Sequence, residues 1–183
     1  DDIIKAMAEV IRDIPDAQLL IAGTGLESRT NELKELIQQL GVQHCVRMLG
    51  HRRDVGALLG ASDVFVFPSV FEGFGIALAE AMAARLPPVV STAGAFPELV
   101  KDGVNGFLVS PKSPTQLADR MITLGKDPAL RAAIGNAAHD CVRQRFHNKG
   151  ETIRQWENLY RQTVRPDLTS ARLASPKRSD ILG

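Results

Sequence analysis

Five short apolar runs, at residues 18–22, 46–49, 63–67, 88–91 and 106–109, are separated by segments whose apolar residues recur at helical spacing. This alternation constrains the fold more than any other property, because strands separated by helices pair in parallel and are covered on both faces. The opening segment sets the pattern: Ile3, Ile4, Met7, Ile11 and Ile14 line one helical face, Pro15-Asp16 ends the helix, and 18–22 follows as a strand. Gly23-Thr24-Gly25 then turns the chain into a helix over 26–40 that Gly41 closes. Further helices are predicted over 54–60, 76–85, 97–100, 114–124, 128–145 and 149–163, with 106–109 as an edge strand. From Pro166 onward Ser, Arg, Lys and Pro replace apolar periodicity. The expected architecture is α/β, a doubly wound parallel sheet over 1–164 with helices at its C-terminal end and a flexible tail over 165–183. In such folds ligands bind in the crevice beyond the carboxyl ends of the strands.

Composition narrows the function classes. With 44% hydrophobic and 23% charged residues in 183, the chain can bury a core, which sets it apart from disordered and fibrous sequences. A net charge of +1 and runs of Lys and Arg no longer than a pair, such as Lys177-Arg178, offer no field for a polyanion, so no nucleic-acid partner is expected. There is no apolar run of about 18 residues and no charged-then-apolar leader. A cytoplasmic location is expected, with any membrane association confined to regions outside this chain. Cys45 and Cys141 lack the spacing of metal ligands and read as buried thiols; His44, His139 and His147 likewise show no catalytic or metal spacing.

The segment Glu72-Gly73-Phe74-Gly75-Ile76-Ala77-Leu78-Ala79-Glu80 stands apart. It follows the strand at 63–67 and Pro68-Ser69, so the chain runs strand, glycine-bearing turn, helix, the layout that aims helix N-terminal amides at an anion such as phosphate. Glu80 falls inside the otherwise apolar helical run 76–84, where burying a charge is costly unless compensated. It lies four residues after Ile76 and therefore on the same helical face, directed back toward the N-terminus. Gly73 and Gly75 permit close approaches that a Cβ would block. Two nearby carboxylates also occur in glycosidases, but those enzymes place an acid and a nucleophile across the bond, whereas both glutamates here fall on one turn and helix.

From Pro68 to Pro97, this segment and the Val89-Val90-Ser91 and Gly94-Ala95-Phe96-Pro97-Glu98 that follow resemble the donor-site signature of retaining glycosyltransferases of the GT-B fold, family 4 type, or glycosyl transferases group 1. Weaker likeness extends over residues 1–163, through Leu20-Ile21-Ala22-Gly23-Thr24-Gly25, Met48-Leu49-Gly50-His51 and Asp102-Gly103-Val104-Asn105-Gly106-Phe107-Leu108-Val109. The resemblance implies transfer of a hexose from a nucleoside diphosphate sugar to an acceptor hydroxyl, with retention at the anomeric carbon. It implies a catalytic Glu72 that contacts the hexose, with capping of the helix as the competing reading. Glu80 would take the ribose diol, for which a bidentate carboxylate suits; a buried ion pair is its alternative. Amides of Gly73, Phe74, Gly75 and Ile76 would face the hexose and diphosphate. His51 and Arg52 would meet the base, and Gly23 and Gly25 would line the nucleotide pocket, with surface charge and tight turning as the alternatives. Glu98 is read equally well as a loop brace. No cofactor and no metal are implied.

The same resemblance implies a preceding strand and turn with a diphosphate-binding Arg and Lys, and an N-terminal acceptor domain for a carbohydrate, lipid or other hydroxyl compound. The expectation is therefore a fragment that lacks a central strand between 18–22 and 63–67. In isolation it would be inactive, fold poorly or leave a gap in its sheet. A non-catalytic nucleotide-sugar-binding module is the alternative reading; a GT-B epimerase or phosphorylase is weaker, since no pyridoxal-bearing lysine is evident. The chain departs from the family at Arg85 and Pro88, where Gly and Val are common, and at Ala95, which replaces the second Gly of a pair.

Overall fold

All five predicted strands form, and all their pairings are parallel. In the computed structural model, which describes residues 1–146, β1 (Leu19–Ala22) pairs with β2 (Val46–Gly50), while β3 (Phe65–Phe67), β4 (Pro88–Ser91) and β5 (Phe107–Val109) form a ladder in the order β3-β4-β5. Among the described residues no strand joins the two ladders. Pairing among these residues is thus divided into a two-stranded and a three-stranded ladder. The predicted helix at 149–163, His147 and the tail lie outside the described residues.

The described residues also form seven helices: α1 (Asp2–Asp13), α2 (Glu27–Gln39), α3 (Val55–Gly60), α4 (Ile76–Ala83), α5 (Phe96–Leu99), α6 (Pro114–Lys126) and α7 (Pro128–Phe146). Strand side chains alternate between two faces, and the core divides accordingly. Val64, Val66, Val89, Phe107 and Val109 pack with α1, α2 and α6 in one cluster; Phe65, Phe67, Val90 and Leu108 pack with α4, α5 and Ala138 and Val142 of α7 in the other. Helices on both faces make the sheet doubly wound, with α1 lying along α6. Residues Asp1–Gln144 form one compact unit. None of the helices among the described residues is long and apolar enough to cross a membrane. Cys45 is fully buried, and burial raises its thiol pKa, whereas Cys141 is only partly buried, a correction to the reading of both as buried thiols.

The three departures from the family pattern have different structural consequences. Pro88 opens β4, where a missing amide is tolerated, and its neighbour Pro87 supplies the carbonyl that accepts the Phe65 amide at 3.2 Å. Ala95 has φ −81° and ψ −3°, so its Cβ is harmless. Arg85 is the strained one. The helix predicted to reach it ends at Ala83, because Arg85 takes φ +63° in a Schellman turn: its amide donates to Met82 O and that of Leu86 to Ala81 O, each at 3.0 Å. Glycine is favoured there, and the guanidinium of Arg85 offsets the strain only through an exposed bond to Asn136 at 2.8 Å. Arg85→Gly is therefore expected to raise stability by about 0.5–1 kcal/mol. Equilibrium urea unfolding would read this as a higher midpoint; a lower midpoint would show that the Asn136 bond outweighs the strain.

Candidate functional site

Every predicted site residue lies on or just after the turn that leaves the carboxyl end of a strand. The turn between β3 and α4 carries Glu72, Gly73, Phe74 and Gly75. Gly75 is the helix N-cap, with φ +79°, and an added Cβ would lie 3.3 Å from the ring of Phe96. Gly73 has open space around it, with nothing within 4 Å of such a Cβ. Upstream, the Ser69 hydroxyl donates to Phe71 O at 2.6 Å and accepts the Phe71 amide at 3.3 Å, a local turn that leaves the Phe71 side chain 83% exposed.

The half-buried Glu72 bends back onto this turn. Its Oε1 accepts the amides of Gly75 at 3.0 Å and Phe74 at 3.4 Å, so the carboxylate caps the approach to α4. Two of the amides expected to face a donor are thereby occupied by the protein's own side chain. The first bond into α4 runs from Ala79 N–H to Gly75 O at 3.0 Å, so the amides of Ile76, Ala77 and Leu78 have no partner within the helix.

Glu80 is on the solvent face of α4. The sequence places this carboxylate in an apolar run where burial is a threat, yet only Leu78, Ala81 and Met82 of that helix are buried, while Ile76, Ala77 and Glu80 are exposed. The expectation of a buried charge, and with it the buried-ion-pair alternative, is corrected: three inward residues satisfy the core, and the opposite face is apolar in composition but open. Ile76 is 65% exposed and shares that face with Glu80, as their spacing requires.

A second group sits at the ends of β1 and β2. The amide of Gly23, at φ +133°, donates to Gly50 O at 2.8 Å, which brings the Gly23–Gly25 turn beside His51. Gly25 and His51 are exposed. Arg52 is engaged locally: its Nε and an Nη donate to the two carboxylate oxygens of Asp54 at 2.8 and 2.6 Å, and this bonding holds Asp54 below the usual carboxylate range. These residues belong to the β1–β2 ladder and the glutamates to the β3–β5 ladder, so pairing assembles the site as two groups.

Sequence reasoning placed the segment after β4 within the family signature but gave Ser91 and Gly94 no role of their own. Glu72 O accepts the amide of Ala95 at 3.3 Å, and Ser91 donates its hydroxyl to Ser69 O. The available signal was a serine ending an otherwise apolar strand three residues before a glycine. Among the described residues no three His, Cys, Asp or Glu converge as metal ligands would.

Comparison with known proteins agrees with this architecture. Residues 1–140 match the family described as Glycosyl transferases group 1. The chain is 32% identical over 166 residues, 91% of its own length and 42% of the relative's, to an N-acetyl-alpha-D-glucosaminyl L-malate synthase of Bacillus anthracis. A crystal structure of Anabaena Alr3699/HepE in complex with UDP-glucose superposes with a TM-score of 0.79 at 32% identity, covering 89% of this chain and 44% of that one. A crystal structure of the C-terminal domain of a group 1 glycosyl transferase, LpcC of Francisella tularensis, superposes at 0.74 with 30% identity, covering 79% of this chain and 77% of that domain. The chain spans about two-fifths of the length of the curated relatives it matches. With its parallel sheets, its covering helices and its turn between β3 and α4, this chain belongs to the glycosyl transferases group 1 family.

Proposed function

We propose that this chain is the donor-binding part of a retaining glycosyltransferase of the family 4 type, which moves a hexose from a nucleoside diphosphate sugar to an acceptor hydroxyl. The observation that carries the proposal is the exposure of Glu80 one turn along α4 from first-turn amides that have no partner within the helix, with Glu72 across the N-terminus of that helix. A carboxylate held in solvent on an apolar helical face is free to accept both hydroxyls of a ribose. The diphosphate would lie against the amides of Ile76, Ala77 and Leu78, where the helix dipole favours negative charge. The base would reach the turn at Gly23, Gly25, His51 and Arg52. That the relative from Anabaena holds UDP-glucose supports a nucleotide sugar as the ligand class.

Glu72 has two roles in this scheme. Its carboxylate accepts the amides of Phe74 and Gly75, and it would also contact the hexose and stabilise positive charge developing at the anomeric carbon. Catalysis comes mostly from amides already aimed at the departing diphosphate. The acceptor, a carbohydrate, lipid or other hydroxyl compound, would be bound by an N-terminal domain of the whole protein.

Calorimetric titration of the full-length protein with UDP, GDP and ADP tests the reading. One nucleotide is expected to bind, and Glu80→Ala to weaken it by roughly 1–3 kcal/mol, the loss of hydrogen bonds to a charged group. Equal binding by wild type and variant would remove Glu80 from the site. The anomeric configuration of the product, read by NMR, decides retention.

A further inference from the structure

We infer that Ser91 and Gly94, in the β4–α5 connection, are positioning residues that hold Glu72 where it meets the hexose; the inference rests on the donor-site reading above. Ser91 ends β4, whose four residues are all buried, and is itself 0% exposed. With Asn105 it makes up the buried polar residues among those described. A hydroxyl there is tolerable only if bonded. It donates to the backbone carbonyl of Ser69, 22 residues earlier in the β3–α4 turn, and accepts the Ala93 amide at 3.4 Å. The strand end is thus tied to the start of the turn that presents Glu72.

Gly94 makes the second tie by contact. At φ +57° its backbone lies so close to Glu72 that an added Cβ would fall 2.1 Å from Glu72 O and 2.9 Å from both Glu72 C and N. The adjacent Ala95 amide donates to the same carbonyl at 3.3 Å. Backbone cannot yield as a flexible side chain does, so any residue larger than glycine at 94 displaces the Glu72 peptide. The backbone of Glu72 is therefore referenced to the core strand β4. Glu80 is set differently, by the packing of Leu78, Ala81 and Met82 on the opposite side of α4. Disturbing the ties should move the sugar contact and spare the nucleotide contact.

The test compares dissociation constants of the full-length protein for UDP, GDP and ADP with those for their glucose conjugates. The informative quantity is the ratio of the conjugate's Kd to that of its bare diphosphate. For Gly94→Ala this ratio is expected to rise about tenfold, with the bare diphosphate bound nearly as before. Gly103→Ala is the strain control, since Gly103 has φ +71° but nothing within 4 Å of an added Cβ, and it should leave the ratio unchanged. Ser91→Thr and Ser91→Val add the same methyl and differ in the hydroxyl; the ratio should rise for valine and be restored by threonine. A Gly94→Ala variant too unstable to study leaves this pair as the deciding measurement. An unchanged ratio in Ser91→Val and Gly94→Ala, alongside a shifted ratio in Glu72→Gln, would overturn the positioning role and keep the donor site. No binding of any nucleotide by the folded wild type would overturn both.

Discussion

Glu72→Gln in the full-length enzyme is expected to lower kcat about a hundredfold to a thousandfold, the effect of removing one electrostatic contact to a charged transition state. Glutamine keeps an oxygen able to accept the amides of Gly75 and Phe74, now at 3.0 and 3.4 Å from Oε1. The turn should therefore stay capped, with stability changed by no more than about 1 kcal/mol. On the function proposed above, what disappears is a negative charge that stabilises the anomeric carbon mainly in the transition state, so kcat and kcat/KM should fall together. Steady-state kinetics with a thermal melt of the same preparation separates the possibilities. A near-normal kcat with a lowered melting temperature would assign Glu72 to capping alone.

Phe96→Ala is expected to remove about 3–5 kcal/mol of folding stability, the upper range for truncating a buried aromatic. Among the described residues Phe96 is the largest of the fully buried side chains. Its ring meets that of Phe67 edge-on at 5.7 Å and sits under Gly75 on the side where a Cβ would lie 3.3 Å away. Alanine would leave a cavity beneath the N-terminus of α4 and between the two loops of the site. For a domain of this size the loss corresponds to a melting temperature lower by roughly 6–20 °C. Differential scanning fluorimetry against nucleotide concentration would also show weakened ligand stabilisation. A shift of only a degree or two would mean that the surroundings collapse to fill the space.

The fold was legible because each decision was local. Pro15-Asp16 stops α1, Gly41 follows the end of α2, and β4 starts at Pro88 as the sequence indicates. Boundaries moved where local signals were weak: β3 begins at Phe65 rather than 63, since Val64 suits a strand but Asp63 does not, and pairing starts at Phe65. Arg85 hid its left-handed turn because the residue type gives no hint of positive φ; only comparison with a family that commonly has glycine there raised the question. Glu80 was misjudged for a different reason. Hydrophobic composition reports how apolar a helix is, not how much of it the core needs, and α4 exposes Ile76 and Ala77 beside the glutamate. Ser91 and Gly94 stood in the family signature, but what they do could not be read there because their partners, Ser69 and Glu72, lie 22 residues earlier in the chain. Such contacts depend on the parallel crossover, which periodicity does not reveal.

The interruption of pairing between the two ladders has a consequence for how the chain behaves among its own copies. Among the described residues the two ladders have four edge strands, β1, β2, β3 and β5, where one sheet would have two, and an unpaired edge is a template on which another chain can add a strand. The outer strands β3 and β5 are three residues each, against four in β4. So short an edge offers few backbone groups in a row to an incoming strand, and brevity is one of the devices by which natural sheets avoid edge-to-edge aggregation.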